Sequence, residues 1–73
     1  MTEAHRRILV VDDEPMILEV VRAYLEREGY AVTTAENGES ALALEARLRP
    51  DLVVLDLMLH DLSGEEVCRA IRL

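Results

Sequence analysis

The stretch LVVLDL, residues 52–57, decides the fold, because it is an apolar run that only Asp56 interrupts. A similar run, ILVV at residues 8–11, comes earlier and is closed by Asp12 and Asp13. Short continuous apolar runs of this kind are typical of strands that are buried on both faces of a parallel sheet. The two runs therefore predict central strands with acidic residues at or near their ends.

A helix is predicted after the first run. Pro15 opens it, since proline is favoured in the first helical turn, and Gly29 follows it where a glycine commonly ends a helix. Apolar residues recur along this helix at spacings of three and four, which predicts a stripe facing the sheet. The stripe contains Ile17, Val20, Val21, Tyr24 and Leu25.

A further strand is predicted over residues 30–35, which are rich in Val and Thr. This segment is more polar than the other two runs, so we expect it at an edge of the sheet. The dipeptide at 37–38, Asn-Gly, is a turn signal. A short helix is then predicted over residues 40–48, and Pro50 blocks its extension.

The third apolar run is followed by a loop and another predicted helix. Ser63 and Glu66 have the S-x-x-E spacing of a capping box, which predicts that this helix begins at Ser63. The order is thus strand–helix three times over, with short connections. That alternation predicts an α/β fold with a parallel sheet, helices on both faces, and the flavodoxin-like strand order 2-1-3.

Asp12, Asp13 and Asp56 are the candidate functional residues. In the order 2-1-3 the first and third strands are neighbours, so their acidic ends are predicted to meet at the switch point where ligands bind. Clustered carboxylates resist joint ionisation because their negative charges repel one another, and a bound Mg²⁺ ion would offset that repulsion. For Asp13 or Glu14 taken singly, a solvated strand end or a helix N-terminal acid is the preferred interpretation. That interpretation does not explain Asp56, which lies within an apolar stretch.

The composition excludes several classes of function. The chain of 73 residues has 15 acidic and 8 basic residues, a formal charge of −7. An acidic surface repels phosphate backbones, so we expect no nucleic-acid binding. The single cysteine, Cys68, cannot form an internal disulfide, which fits a cytoplasmic protein. We expect no membrane association, because the apolar runs are too short for a signal or spanning segment.

Several motifs together resemble the receiver domains of bacterial response regulators. VVDDEP at 10–15 is similar to the acidic start of that family, and DLVVLDLML at 51–59 resembles the strand that carries its phosphoacceptor. The turn at 37–38 and the Ser-Gly loop at 63–64 match further family features in their spacing. The resemblance runs from about residue 6 to residue 73.

The resemblance implies a role for each site residue. Asp56 would be the phosphoacceptor, receiving a phosphoryl group from a sensor histidine kinase or a phosphotransfer protein. Asp13 would bind Mg²⁺ directly, and Asp12 directly or through water. Asp56 and the backbone carbonyl of Met58 would complete the protein ligands. The implied function is a signalling module in a two-component system rather than an enzyme.

Two features depart from the family pattern. His60 stands where the family usually has proline, and we interpret it as an exposed turn residue. The family has five βα units, whereas residues 1–73 correspond to its first three, so we expect an N-terminal portion of a receiver domain. The apolar third strand would then have an open edge. We therefore expect this chain to form a homodimer or otherwise self-associate.

Two other functions compete with the phosphoacceptor interpretation. The same fold can serve as a protein-interaction or dimerisation module that needs no phosphorylation, although the complete set of three aspartates argues against it. A Mg²⁺-dependent phosphatase with an aspartate nucleophile is the other alternative. Such enzymes have D-x-D-x-T after the first strand, and the sequence DDEP at 12–15 lacks that spacing.

Overall fold

Three parallel strands form the sheet of this protein. The computed structural model describes residues 6–56 and, beyond them, Asp61, Glu66, Val67 and Arg69. The strands are β1 (Arg7–Val11), β2 (Ala31–Ala35) and β3 (Leu52–Leu55). Their order is β2-β1-β3, with both pairs parallel. The predicted α/β class and 2-1-3 order are confirmed, and the more polar strand β2 lies at an edge of the described sheet as predicted.

Helix α1 (Pro15–Arg27) begins and ends where the sequence indicates. Pro15 occupies its first turn, where the missing N–H leaves no intrahelical bond unmade. Gly29 follows the helix with a φ of 99°. This is a left-handed backbone conformation that glycine adopts without a Cβ clash, so it allows the chain to turn directly into β2.

The predicted apolar stripe of α1 is only partly right. The residues that pack onto the sheet are Leu18, Val21 and Leu25, at i, i+3 and i+7. Val20 and Tyr24 are 69% and 63% exposed, and Ile17 is also exposed. The sequence pattern is ambiguous here because apolar residues cover more than half of the helix circumference. A helix lying on a flat sheet buries only a narrow arc of it.

Helix α2 (Gly38–Leu48) begins two residues earlier than predicted. Asn37 is its N-cap rather than part of a separate turn, and its side chain accepts a 2.7 Å hydrogen bond from the N–H of Ser40. Asparagine is among the strongest N-caps, since its oxygen satisfies a helical N–H that has no partner within the helix. The helix ends at Leu48 and is followed by the C-cap residue Arg49, which adopts a left-handed conformation with a φ of 51°.

The two helices lie on opposite faces of the sheet and define two apolar clusters. Ile8 and Val10 of β1 pack under α1 together with Leu18. Their alternating neighbours in β1 face the other way and pack with α2 and with Val67, which is fully buried. Alternation of side chains along a strand thus explains how one continuous apolar run supplies both clusters. The members of the second cluster are Leu9, Val11, Ala35, Ala41 and Val67.

The remaining predictions concern the region after β3. Glu66, Val67 and Arg69 are helical, in agreement with a third helix. Met58, His60, Ser63 and Cys68 lie outside the described residues, so the predictions made for them stay predictions. Among the described residues, no helix has both the length and the apolar character needed to cross a membrane.

Candidate functional site

The register of the sheet positions the acidic residues that follow β1 and β3. Val11 is the partner of Leu55, and the N–H of Asp56 donates a 3.0 Å hydrogen bond to the carbonyl of Val11. Asp12 follows Val11 directly and Asp56 follows Leu55, so both acids leave the sheet at the same level. This edge is formed by the carboxyl ends of the strands, where open parallel sheets bind ligands.

Asp12 is held by one hydrogen bond from its backbone N–H and one to its side-chain carboxylate. Its N–H donates to the carbonyl of Ala35 at 3.1 Å, which ties it to the end of β2. Its Oδ1 accepts a 2.9 Å hydrogen bond from the N–H of Glu14. A side-chain bond to the backbone two residues later is an Asx-turn, and here it leads the chain from β1 into α1. The orientation of the Asp12 carboxyl group is therefore fixed by the turn.

The carboxyl groups of Asp12, Asp13 and Asp56 converge. One carboxylate oxygen from each residue lies within 4.8 Å of the other two, and all three residues are half-buried. The prediction that these acids meet at the carboxyl edge of the sheet is thus confirmed. Asp12 and Asp13 follow β1, and Asp56 follows β3, more than forty residues later in the sequence. The parallel register of β1 and β3 brings these acids together.

The donor set of this cluster fits a hard divalent cation. Three carboxylates at this separation repel one another, and a bound cation would offset that repulsion. Hard cations take oxygen ligands, and Mg²⁺ commonly keeps several waters in addition to one or two carboxylates. The three carboxylates, from half-buried residues, provide such a partial set on the open edge of the sheet. Asp12, Asp13 and Asp56 are therefore the residues that could hold the ion.

Asp61 also lies near this edge of the sheet and makes contacts that its sequence position does not indicate. Its Oδ1 and Oδ2 accept hydrogen bonds from the N–H groups of Gly38 at 2.7 Å and Glu39 at 2.9 Å. The sequence indicates only that Asp61 belongs to the loop beyond the strand. Its partners are 23 and 22 residues away, so no local capping motif could have identified the contact.

The sequence of the chain agrees with one family over most of its length. The sequence model of the response regulator receiver domain matches residues 8–73. The chain belongs to the response regulator receiver family. This receiver chain is similar to the transcriptional regulatory protein ResD of Bacillus subtilis, with 53% identity over 66 residues, covering 90% of the chain and 28% of ResD.

A second curated relative gives the same assignment. The chain is 52% identical over 65 residues to the probable transcriptional regulatory protein TcrX of Mycobacterium tuberculosis, covering 89% of the chain and 28% of TcrX. The chain thus spans little more than a quarter of the length of these relatives.

Solved receiver structures have the same fold. A CheY-like receiver domain protein of Methanospirillum hungatei superposes with a TM-score of 0.93 at 33% identity, covering 94% of this chain and 55% of that one. The response regulator TrrA of Thermotoga maritima, in complex with Mg²⁺ and BeF, gives a TM-score of 0.88 at 51% identity, covering 92% and 58%. TrrA has also been solved in complex with the histidine kinase ThkA, with a TM-score of 0.87.

Proposed function

We propose that this receiver chain accepts a phosphoryl group on Asp56 from a sensor histidine kinase or phosphotransfer protein and thereby controls a downstream output in the cytoplasm. The observation that carries the proposal is the convergence of Asp12, Asp13 and Asp56 within 4.8 Å at the carboxyl edge of the sheet. Membership of the receiver family supports it. We also propose that residues 1–73 correspond to the first three βα units of that family.

The sequence around Asp56 resembles the acceptor strand of the receiver family, and this favours Asp56 as the acceptor among the three acids. Asp56 directly follows β3, and its backbone N–H is bound to the carbonyl of Val11 at the end of β1. The carboxyl group of Asp56 therefore has a defined position relative to those of Asp12 and Asp13. One oxygen of Asp56 would attack phosphorus as the bond to the donor imidazole nitrogen breaks, and the bond's electron pair would return to that nitrogen. The product is an aspartyl phosphate.

Asp12 and Asp13 are proposed to bind Mg²⁺, Asp13 directly and Asp12 directly or through water, with Asp56 and the backbone carbonyl of Met58 as further ligands. When bound, the ion supplies positive charge that offsets the negative charge of the phosphoryl group. The protein's own contribution is positioning. The Asx-turn of Asp12 and the strand end at Asp56 hold the carboxylates in place before any partner binds.

The outer surface of α1 supports a protein partner for the acidic site. Met16, Ile17, Val20 and Tyr24 are exposed and follow one another along one flank of the helix, beginning three residues after Asp13. A donor histidine that reaches Asp56 requires its protein to dock beside this edge of the sheet. We propose that the kinase or phosphotransfer protein contacts this apolar flank. The complex of TrrA with the histidine kinase ThkA supports a kinase as the partner.

A phosphorylation-independent interaction module remains the second candidate. It is favoured by Leu52 and Val54 of β3, which are 55% and 42% exposed. They lie on the same sheet face as Ile8 and Val10, beyond the part of that face that α1 covers. Apolar residues exposed side by side on a strand are suited to contact another protein surface. The two candidates are separated by phosphorylation: labelling that requires Asp56 supports the acceptor function, and its absence supports the interaction module.

A further inference from the structure

The apolar residues of β1 and β3 do not by themselves fix how the two strands pair. Residues 8–11 (ILVV) and 52–55 (LVVL) are apolar throughout, so they lack the polar–apolar alternation that usually specifies a register. A β3 displaced by one or two residues would still place apolar side chains on both faces of the sheet. The observed register is therefore expected to depend on polar contacts at the ends of the strands.

Asp51 makes such a contact at the amino edge of the sheet, where the strands begin. It lies directly before β3 and binds both backbone groups of Arg7, the first residue of β1. Its N–H donates to the carbonyl of Arg7 at 2.8 Å, and its Oδ2 accepts the N–H of Arg7 at 2.8 Å. Arg7 and Asp51 are 44 residues apart, the same separation as between the register partners Ile8 and Leu52. The carboxylate thus extends the β1–β3 ladder in the observed register.

The side-chain contact of Asp51 is specific to one register, whereas backbone ladder bonds are not. Every residue of a strand offers the same N–H and C=O groups, so ladder bonds can form again after a shift. A shift of β3 toward the carboxyl edge would instead carry the carboxylate alongside Ile8 and Leu9, which are buried. Burying a charged group without its hydrogen-bond partner is costly. Charge-assisted hydrogen bonds such as the one to Arg7 are also stronger than neutral ones.

We propose that Asp51 is a positioning residue that sets the register of β3 against β1 and thereby holds Asp56 level with Asp12. The inference rests on the proposed function of Asp56. Asp51 precedes β3 and Asp56 follows it, so Asp51 acts on the acidic site through the length of this strand. The bond from the N–H of Asp56 to the carbonyl of Val11 is a backbone bond, which a displaced strand would replace with another.

A displaced β3 would separate the acids of the site. Each residue of displacement moves a strand along its neighbour by roughly 3.3 Å. The oxygens of Asp12, Asp13 and Asp56 converge within 4.8 Å in the observed register, so a displacement of this size would disperse them. Only molecules with the observed register would then bind the ion and accept the phosphoryl group, and the apparent affinity for Mg²⁺ would fall with their fraction.

Arg7→Ala is a matched control for Asp51→Ala. It removes the guanidinium group that donates to the carbonyl of Leu48 at 3.1 Å, but it keeps the backbone N–H that Asp51 accepts. Each substitution therefore removes one side-chain hydrogen bond at the same edge of the sheet, and only Asp51→Ala removes the contact that specifies the register. Asp51→Asn keeps an acceptor oxygen and serves as the conservative variant. If Asp51→Ala does not fold, Asp51→Glu, which displaces the carboxylate by one methylene, takes its place.

Two measurements on the full-length protein that carries these residues test the inference. Without metal, the NMR scalar coupling across the hydrogen bond from the Asp56 nitrogen to the Val11 carbonyl carbon reports the register. It should persist in Arg7→Ala and weaken or disappear in Asp51→Ala. The rate constant for labelling of Asp56 by acetyl phosphate and Mg²⁺ should fall about tenfold in Asp51→Ala, because a misplaced reacting group loses a factor of this order or more. Arg7→Ala and Asp51→Asn should be labelled as wild type is.

The outcomes distinguish this inference from the proposed function. Equal coupling and equal labelling in the Asp51→Ala and Arg7→Ala proteins would overturn the positioning role while leaving the proposed function intact. A change in only one of the two quantities in Asp51→Ala would overturn it as well, because the register and the site are claimed to change together. A wild-type protein that is not labelled on Asp56 would overturn the proposed function. In that case the coupling, which needs neither metal nor phosphodonor, still decides whether Asp51 sets the register.

Discussion

The N–H of Asp56 donates to the carbonyl oxygen of Val11 at 3.0 Å, continuing the β1–β3 ladder one residue beyond the last strand pair. This bond sets Asp56 level with Asp12, the residue after Val11. A shift of one residue in the pairing of β3 would turn every side chain of that strand to the opposite face. The position of the acidic site therefore depends on the same register that determines which face of the sheet each side chain of β3 occupies.

Mg²⁺ should stabilise the folded chain through the three aspartates. Binding to the native state alone adds about 1.4 kcal/mol at a concentration ten times Kd, because the stabilisation equals RT ln(1 + [L]/Kd). Asp13→Asn should remove most of that gain. Thermal unfolding with and without Mg²⁺ measures it. Glu14→Gln, an equal change of charge at the adjacent exposed residue, is the control and should respond as wild type does. An equal Mg²⁺ response in the Asp13 variant would contradict the assignment.

The convergence of the site could be predicted from the sequence because it follows from topology. Two buried-type runs ending in acids, separated by a helix, an edge strand and another helix, place Asp12 and Asp56 together once the order 2-1-3 is assumed. The sequence does not reveal which arc of α1 packs on the sheet, since Ile17, Val20 and Tyr24 fit an inward stripe as well as an outward one. Burial against the sheet, not periodicity, decides between these arcs.

Asp61 illustrates a second limit of sequence analysis. Capping motifs are recognised from spacings of about three residues, whereas this carboxylate reaches N–H groups 22 and 23 residues away. The local cap at Asn37 is not evident from the sequence either, because Asn-Gly is typical both of turns and of the start of a helix. Local spacing cannot reveal contacts that the tertiary fold creates.

The exposed flank of α1 should contribute to docking of the phosphodonor protein. Val20→Gln in the full-length protein that carries these residues should slow phosphotransfer from its kinase several-fold, because it replaces an exposed apolar contact without altering the acids. Ala46→Gln places the same side chain at an exposed site on α2, on the opposite face of the sheet, and should have no effect. Labelling by acetyl phosphate, which needs no docking, should be equal in both. Equal slowing by both variants, or by neither, would reject this surface.

Gly29 and Arg49 both adopt a left-handed backbone conformation, and their substitution should affect the stability of the protein differently. Gly29 has a φ of 99°, and Arg49 has a φ of 51°. A Cβ added at Gly29 would meet no heavy atom within 4 Å beyond its chain neighbours, so Gly29→Ala tests backbone strain alone. We expect a loss of about 1–2 kcal/mol in the free energy of unfolding for Gly29→Ala. Arg49→Gly should raise it or leave it unchanged. Chemical denaturation measures both, and a stabilised Gly29→Ala protein would contradict the backbone assignment.

The 73-residue chain should self-associate through β3. Leu52 and Val54 are exposed, although their register partners Ile8 and Val10 are buried under α1. Contact with a second copy would cover this apolar surface. We expect a concentration-dependent dimer in sedimentation at low micromolar protein, and a shift toward monomer in Val54→Lys. Val20→Lys, which changes exposed apolar surface on α1 instead, is the control. A wild-type monomer at all concentrations would show that this surface is not an interface.

Asp56 is the residue proposed to accept the phosphoryl group. The most direct test is to incubate the full-length protein that carries these residues with acetyl phosphate and Mg²⁺, then measure the intact mass and map the modified residue. We expect one hydroxylamine-sensitive phosphoryl group on Asp56, none in Asp56→Ala, and retained labelling in Asp61→Ala at saturating Mg²⁺. A phosphoryl group that persists in Asp56→Ala, or that maps to another residue of the wild-type protein, would contradict the account.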